Sequence, residues 1–251
     1  MSNLFSLKGK TAMVTGAAQG LGQGIALALA EAGADLVSVS LTASGETVKQ
    51  AEAFGVKGLG IEADLGNHST LQSVFDQALE LTGKVDILVN NAGIIRRTPA
   101  KDHSEKDWFD VINLNLNTVF LLSQIAGRHM LERGSGKMIN ICSMLSYQGG
   151  INVPGYTASK HGVAGLTKAF ANEWAQYGLN INAIAPGYMA TENTAPIRGD
   201  KDRTQSITDR IPAARWGTPE DVKGPAVFLA SAAADYLNGH VLCVDGGWMA
   251  R

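Results

Sequence analysis

Cysteine is scarce in this chain: Cys142 and Cys243 are the only two. Each sits inside an apolar, strand-like run, which suits small buried thiols better than a disulfide framework, although a single bridge between them is compatible with the sequence. Long apolar runs are missing too. No uncharged stretch approaches the roughly 20 residues of a membrane span, and Met1 to Lys10 lacks an apolar core of signal-peptide length. The expected location is therefore the cytoplasm, with no membrane partner. Neither charge is in excess: Lys and Arg total 21 against 23 Asp and Glu, a formal charge of −2 that offers no basic field to nucleic acid. The histidines His68, His103, His129, His161 and His240 are scattered without a second ligand at metal spacing, so no metal site is expected. Repeats, low-complexity tracts and charge blocks are absent as well. The 251 residues suit one large domain, 1–251, with a core of its own.

What is present is an alternation. Strand-like runs at 11–15, 36–40, 58–61, 87–90, 137–142, 180–185 and 241–244 are separated by longer amphipathic stretches. Short apolar strands joined by helices imply parallel pairing through right-handed crossovers and a sheet covered on both faces. The predicted fold is α/β: a single doubly wound Rossmann domain with a seven-stranded parallel sheet and helices on both faces. One stretch, 191–205, is poor in apolar signal and reads as part of a mobile flap over a site, at about 188–212.

The first strand runs into Thr15-Gly16-Ala17-Ala18-Gln19-Gly20-Leu21-Gly22, followed by an Ala-rich helical stretch, 23–32. Glycines there let the chain turn tightly and bring its backbone close to a pyrophosphate, whose charge then sits at a helix N-terminus. Such a turn also serves plain structure, but a strand before it and a helix after it favour dinucleotide binding. Its spacing is Gly-x-x-x-Gly-x-Gly, not the more familiar Gly-x-Gly-x-x-Gly.

A second signal lies further along. Tyr156 and Lys160 stand four residues apart in a helical segment, and none of the other four tyrosines has a lysine at that spacing. Side chains four apart leave one helix face, and an ammonium beside a phenol favours the phenolate, drawing its pKa down from about 10. Alone, such a pair is more often a solvated face. Ser143 changes the balance, because it ends the apolar run 138–142, from which a strand can deliver its hydroxyl to the phenol.

Together with Asn90-Asn91-Ala92-Gly93, these motifs make the chain resemble the short-chain dehydrogenase/reductase family over about residues 7–247. The resemblance implies a catalytic tetrad of Asn115, Ser143, Tyr156 and Lys160. Tyr156 would move the proton, Ser143 would hold the substrate oxygen, and Lys160 would depress the phenol pKa and hold the nicotinamide ribose. Asn115, within Leu114-Asn115-Leu116-Asn117, would break a helix and hold a relay water. The resemblance also implies NAD or NADP contacts at Gly16, Gln19, Gly20, Leu21 and Gly22 in the turn, with Ser40 after the second strand. Asp64 and Leu65 would lie at the adenine, and Asn90, Ala92 and Gly93 would follow the fourth strand. Pro186, Gly187, Met189 and Thr191 would meet the nicotinamide. At Ser40 an Asp would bind the ribose hydroxyls and repel a 2′-phosphate, yet no Arg or Lys occurs in 17–19 or 38–44 to grip that phosphate. The expectation leans slightly to NAD.

Segments 93–97, 143–150, 185–191, 211–217 and 245–251 are more closely similar to the sugar-acid dehydrogenases of that family. That implies an anionic deoxy sugar acid as substrate. Arg96 is the first choice for its carboxylate, with Arg97 beside it. Ser143, Gln148, Tyr156 and Tyr188 would meet the hydroxyl-bearing part, and Trp248 and Arg251 would close the site from this or a neighbouring subunit. A 3-oxoacyl thioester reductase is the alternative within the family. A non-catalytic dinucleotide-sensing binding protein is the alternative outside it, although a sensor has little use for a complete tetrad. A homotetramer is expected from the family and from the apolar-faced helical stretches 108–132 and 156–177.

Overall fold

The computed structural model describes residues 4–251. Among these, the strands β1 (Thr11–Thr15), β2 (Asp35–Ser40), β3 (Gly58–Glu62), β4 (Ile87–Asn90), β5 (Gly136–Ile141), β6 (Leu179–Pro186) and β7 (Val241–Val244) form one seven-stranded sheet in the order β3-β2-β1-β4-β5-β6-β7. All neighbouring pairs are parallel. The expected doubly wound α/β fold is the one found. After β3 the chain returns to pair β4 on the far side of β1, so the strand order reverses between β1 and β4. At such a switch point a crevice opens beyond the carboxyl ends of the strands.

The helices are α1 (Gly20–Glu31), α2 (Gly45–Glu52), α3 (Leu71–Glu80), α4 (Glu105–Ile112), α5 (Thr118–Arg133), α6 (Pro154–Trp174), α7 (Ala195–Arg198), α8 (Lys201–Arg210) and α9 (Pro219–Ala230). They cover both faces of the sheet. Because successive strand residues point to opposite faces, Ala12 and Val14 join one core with Ile25, Leu29, Val222 and Leu229, while Met13 joins the other with Phe75, Leu122 and Met138. This two-sided burial explains why the strands read as unbroken apolar runs.

Two local expectations are corrected. The stretch 108–132 is not one regular helix: α4 and α5 are joined by a π-helical turn, Asn113–Asn117. There the Asn113 carbonyl accepts from the Thr118 hydroxyl at 3.1 Å, and Asn117 Nδ2 donates to Asn113 Oδ1 at 2.9 Å. Side-chain competition of this kind loosens a helix ladder. The stretch 191–205, poor in apolar signal, carries α7 and most of α8, with Asp200 Oδ1 accepting the Arg203 N–H at 3.0 Å as N-cap of α8. Few apolar residues were needed: Ile197, Ile207 and Ile211 pack on Met144 and Trp248. Finally, Cys142 is buried but Cys243 is exposed, because β7 is an edge strand with one uncovered face in the single chain, and both thiols are free. Among the described residues no helix is long and apolar enough to cross a membrane, and no cluster of His, Cys, Asp or Glu is placed to hold a metal.

Candidate active site

A cleft of about 460 Å³ opens at the switch point, lined by the Gly-rich turn, Ser40, Asp64, Tyr156, Lys160 and Thr191. The glycines of the turn divide the work. At Gly16, φ is +65° and a Cβ would stand 2.9 Å from Asn91 Nδ2 and 3.0 Å from Ala92 Cα. A Cβ on Gly22 would overlap the Gly16 carbonyl, so these two permit close packing of the turn. Gly20 is different: its φ is +61°, and a Cβ would meet only Thr191 Cγ2, 3.9 Å away, filling the cleft itself. Gln19, Leu21 and Gly22 also line it.

The N-terminus of α1 has neither a side-chain cap nor an acidic residue in its first turn. Its orphan N–H groups and the positive end of its dipole suit an anion. This uncapped terminus, with the cradle that a Cβ at Gly20 would fill, fits the diphosphate of a dinucleotide. Ser40 Oγ accepts the Ala18 N–H at 3.0 Å and ties the turn to β2, keeping its own proton available to a ligand. No Lys or Arg lines that end of the cleft. Asp64 is exposed, with Oδ1 accepting the Gly66 N–H at 2.9 Å, and Leu65 is buried beside it.

Asn90 is placed otherwise than expected. Its Nδ2 donates to Ser123 Oγ at 2.9 Å and to Asn140 Oδ1 at 2.8 Å, so it links β4 to β5 and α5 within the core. Asn91, Ala92 and Gly93 line the cleft instead. Asn91 also braces the turn, donating to the carbonyls of Thr15 at 2.9 Å and Gly16 at 3.1 Å, a role its place in the quoted motif could have suggested. Of the four residues expected at the nicotinamide, Thr191 lines the cleft, whereas Pro186, Gly187 and Met189 lie outside its lining. Pro186 pairs with Val244 in the sheet, Gly187 is packed against Asp245, and Met189 is buried in the core beside Gly217.

Ser143 stands two residues beyond β5 and is buried. Its Oγ accepts the Leu145 N–H at 3.1 Å as N-cap of a 3-10 turn, Met144–Ser146. Tyr156 lies in the first turn of α6, where Pro154 suits the N-terminus because its missing N–H has no partner to lose. Burial pushes the Tyr156 phenol up to about 12, against the pull of the hydrogen-bonded Ser143 hydroxyl and the Arg97 guanidinium. Lys160 is buried, and desolvation pushes its ammonium down to about 8. The expected depression of the phenol by Lys160 is absent, for a physical reason. The Nζ lies 5.5 Å from the ring centre and is engaged by the Ile141 carbonyl at 2.6 Å, while desolvation is the leading influence on the phenol.

Asn115 sits in the π-helical turn and is wholly buried. Its Oδ1 accepts the Ile94 N–H at 2.9 Å, and its Nδ2 donates to the Ile94 carbonyl at 2.9 Å and to Ser159 Oγ at 3.4 Å. Both polar ends of the amide are engaged, so the side chain braces the cleft wall. Ser146 and Ser159, which contact the tetrad directly, carry no pattern of their own in the sequence and were not foreseen.

Arg96 is corrected as well. Its guanidinium is 42% exposed and turns to α4, with Nε 3.4 Å from Asp107 and Nη2 3.8 Å from Asp110. Arg97 is the guanidinium felt by the Tyr156 phenol, and it donates to the Asn193 carbonyl of the flap at 2.8 Å. Gln148 Oε1 accepts from Trp248 Nε1 at 3.3 Å, and the Tyr188 ring lies 4.9 Å from Trp248 and 5.2 Å from Trp216. The C-terminal tail therefore folds over its own subunit, where Arg251 also donates to the Asp209 carbonyl at 3.2 Å.

Comparison with known proteins agrees with this geometry. Residues 16–249 match a family model described as enoyl-(acyl carrier protein) reductase. The chain is 56% identical over 248 residues to the 2-dehydro-3-deoxy-D-gluconate 5-dehydrogenase of Escherichia coli K12, covering 98% of each. It is 57% identical over 254 residues to the Bacillus subtilis 168 protein of that name, covering 100% of this chain and 99% of the other. A solved gluconate 5-dehydrogenase from Burkholderia cenocepacia J2315, in complex with NADP and tartrate, superposes with a TM-score of 0.94 at 38% identity, over 99% of this chain and 98% of that one. Fold, cleft and relatives converge: the chain belongs to the short-chain dehydrogenase/reductase family, NAD(P)-dependent oxidoreductases acting on CH–OH groups.

Proposed function

We propose that this enzyme transfers a hydride between NAD(P) and a hydroxy or keto deoxy sugar acid of the 2-dehydro-3-deoxy-D-gluconate or 2-deoxy-D-gluconate type. The observation that carries the reading is a cleft that Tyr156 and Lys160 line together with the Gly-rich turn and the uncapped N-terminus of α1. In oxidation the Tyr156 oxygen takes the alcohol proton; in reduction it returns it. Ser143 hydrogen-bonds the substrate oxygen and stabilises the charge that develops there. The nicotinamide, when bound, accepts or supplies the hydride. Lys160, with its weakened hold on a proton, is the group best placed to answer a bound ribose. The Gly20 cradle and the N-terminus of α1 would hold the diphosphate, with Ser40 and Asp64 toward the adenosine.

Arg97 takes over the carboxylate role first given to Arg96, whose charge is answered by Asp107 and Asp110. A guanidinium can bind a carboxylate in two parallel hydrogen bonds, which a lysine cannot match. The tartrate of the Burkholderia relative supports an anionic ligand, and the names of the Escherichia and Bacillus relatives support the deoxy sugar acid. For the cofactor we retain the slight preference for NAD, because no Lys or Arg lines the cleft near Ser40; the NADP of the Burkholderia relative argues the other way. A cytoplasmic homotetramer completes the proposal. Exposed Phe109 and Phe120, near the α4–α5 junction, give such an assembly apolar surface to cover.

The test is a set of initial rates for deoxy sugar acids, gluconate and a 3-oxoacyl thioester with NAD and with NADP. The deoxy sugar acids should give the highest kcat/KM. Preferential turnover of the thioester would replace this reading.

A further inference from the structure

Two buried serines bind the α6 turn from Tyr156 to Lys160 at its two ends. Ser159 Oγ donates to the Tyr156 carbonyl at 2.7 Å and accepts from Asn115 Nδ2 at 3.4 Å. Ser146 Oγ donates to the Lys160 carbonyl at 2.7 Å and accepts the Ser143 N–H at 3.3 Å. Each hydroxyl thus spends its single proton on one tetrad residue while a lone pair takes a proton from another. Ser159 is 0% exposed and Ser146 7%, so water is poorly placed to replace either. The two are unequal in reach. A helical serine bonding a carbonyl three residues back is a routine local contact, as Ser159 shows. Ser146 instead spans 14 residues of sequence and joins two different elements.

That span matters because Ser143 and Tyr156 belong to separate pieces of backbone. Ser143 stands two residues beyond β5, Tyr156 lies in the first turn of α6, and between them the chain runs through a 3-10 turn and a loop that places Asn152 at a φ of 63°. No strand pairing or helix ladder connects the two. Beside the influence of the Ser143 hydroxyl on the phenol, two side-chain hydrogen bonds do so among the described residues: Lys160 Nζ to the Ile141 carbonyl, and Ser146 Oγ to the Lys160 carbonyl. We infer that Ser146 is a positioning residue for the proton transfer, fixing the Ser143 hydroxyl against the Tyr156 phenol by tying the Ser143 backbone to the carbonyl of Lys160. Ser159 ties Asn115 to the same turn from the other side. The inference rests on the assignment of Ser143 and Tyr156 as the reacting pair.

Without the Ser146 hydroxyl, the Ser143 N–H is left buried without its partner and the turn is free to shift. A Ser143 hydroxyl held less closely to Tyr156 favours the phenolate less, so alcohol oxidation, which needs that phenolate, should require higher pH. The experiment compares wild type, Ser146→Ala, Ser146→Thr and Tyr156→Phe with the best sugar acid. It measures kcat and KM across pH, dinucleotide affinity by nucleotide fluorescence, and Tm. Ser146→Ala should lower kcat at least roughly tenfold, less than the hundredfold cost of a full ångström of misplacement. Dinucleotide affinity should stay unchanged, and the rising limb of the oxidation profile should move to higher pH. Ser146→Thr should restore most of the rate. Should Ser146→Ala not fold, Ser146→Cys, nearly the same size but a weak donor, should show the same shift.

An unmoved pH limb with unchanged kcat overturns the inference, as does a rate that falls only in proportion to the folded fraction. If Tyr156→Phe keeps its turnover, the assignment of the reacting pair fails, and the role of Ser146 fails with it. An inactive Tyr156→Phe beside an unaffected Ser146→Ala removes the positioning role alone.

Discussion

Lys160 Nζ lies 5.5 Å from the centre of the Tyr156 ring and donates to the carbonyl of Ile141 at 2.6 Å. The ammonium is thereby held by β5, and the two groups are shifted in opposite directions: the phenol is pushed up to about 12, the ammonium down to about 8. Burial is the leading cause of both shifts.

The two residues should separate in their kinetics. Tyr156→Phe removes only the titratable oxygen from a similar ring, so hydride transfer should vanish while the dissociation constant of the dinucleotide hardly changes. Lys160→Ala should damage both rate and cofactor affinity. Isothermal titration with each nucleotide, beside initial rates, distinguishes the two. Unaltered cofactor affinity in Lys160→Ala removes its binding duty.

Lys160 also makes stability depend on pH in a definite direction. Its folded pKa lies near 8 against an ordinary value of 10.5, so between those limits the unfolded chain binds more protons than the folded one. Stability should then rise with pH through that window, by an amount on the order of 3 kcal/mol at most. Urea midpoints from neutral pH to about pH 10 should climb in wild type relative to Lys160→Met, which has no proton to lose. Parallel curves for the two proteins would remove Lys160 as the source.

At the opposite end of the sheet the sign is the same, in a lower pH window. Asp86 is buried, which by itself raises its pKa, but Arg133, the Thr11 N–H and Lys84 outweigh the burial and hold the carboxyl below its ordinary value of 3.8. Arg133 Nη2 stands 2.5 Å from Asp86 Oδ1, and Lys84 Nζ 3.1 Å from Oδ2. A depressed carboxylate contributes stability above its unfolded pKa and loses it as pH falls through the folded one. Asp86→Asn should therefore destabilise at neutral pH, by roughly 2 to 4 kcal/mol. Its deficit should shrink as pH falls through the depressed folded pKa, below the ordinary 3.8, where the wild-type carboxylate protonates. A deficit independent of pH would mean lost packing, not lost charge.

Cofactor choice is tested at Ser40. A carboxylate there would repel a 2′-phosphate, so Ser40→Asp should raise the NAD/NADP ratio of kcat/KM, provided the adenosine ribose lies at the end of β2. The variant also alters the acceptor for the Ala18 N–H, so Tm should be followed alongside. No change in discrimination would place the ribose elsewhere.

The fold was legible because strands buried on both faces leave unbroken apolar runs, and β1, β4 and β7 coincide with the runs at 11–15, 87–90 and 241–244. That Tyr156 and Lys160 share a helix face near Ser143 was legible because they stand four residues apart and Ser143 follows an apolar strand run. Side-chain direction was not. Asn90 and Asn91 are adjacent at a strand end, and only the pleat decides that Asn90 enters the core network while Asn91 lines the cleft. Arg96 and Arg97 divide in the same way, with Asp107 and Asp110 on α4 drawing Arg96 aside. The flap helices escaped notice because few apolar residues suffice to seat them on Trp248 and Met144. The bridging serines depend on contacts between residues far apart in sequence, which a linear pattern does not display.

The most direct measurement of the central claim is kcat/KM for a deoxy sugar acid and for an uncharged hydroxy analogue in wild type, Arg97→Ala and Arg96→Ala. Arg97→Ala should lose on the order of 2 to 4 kcal/mol of transition-state stabilisation with the acid and far less with the neutral analogue, as for a missing charge-assisted contact. Arg96→Ala, which gives up only partly exposed ion pairs, should stay within about 1 kcal/mol of wild type in both activity and stability. Equal losses on acid and neutral substrate in Arg97→Ala, or a selective loss in Arg96→Ala instead, would contradict an anionic substrate held by Arg97 beside Tyr156.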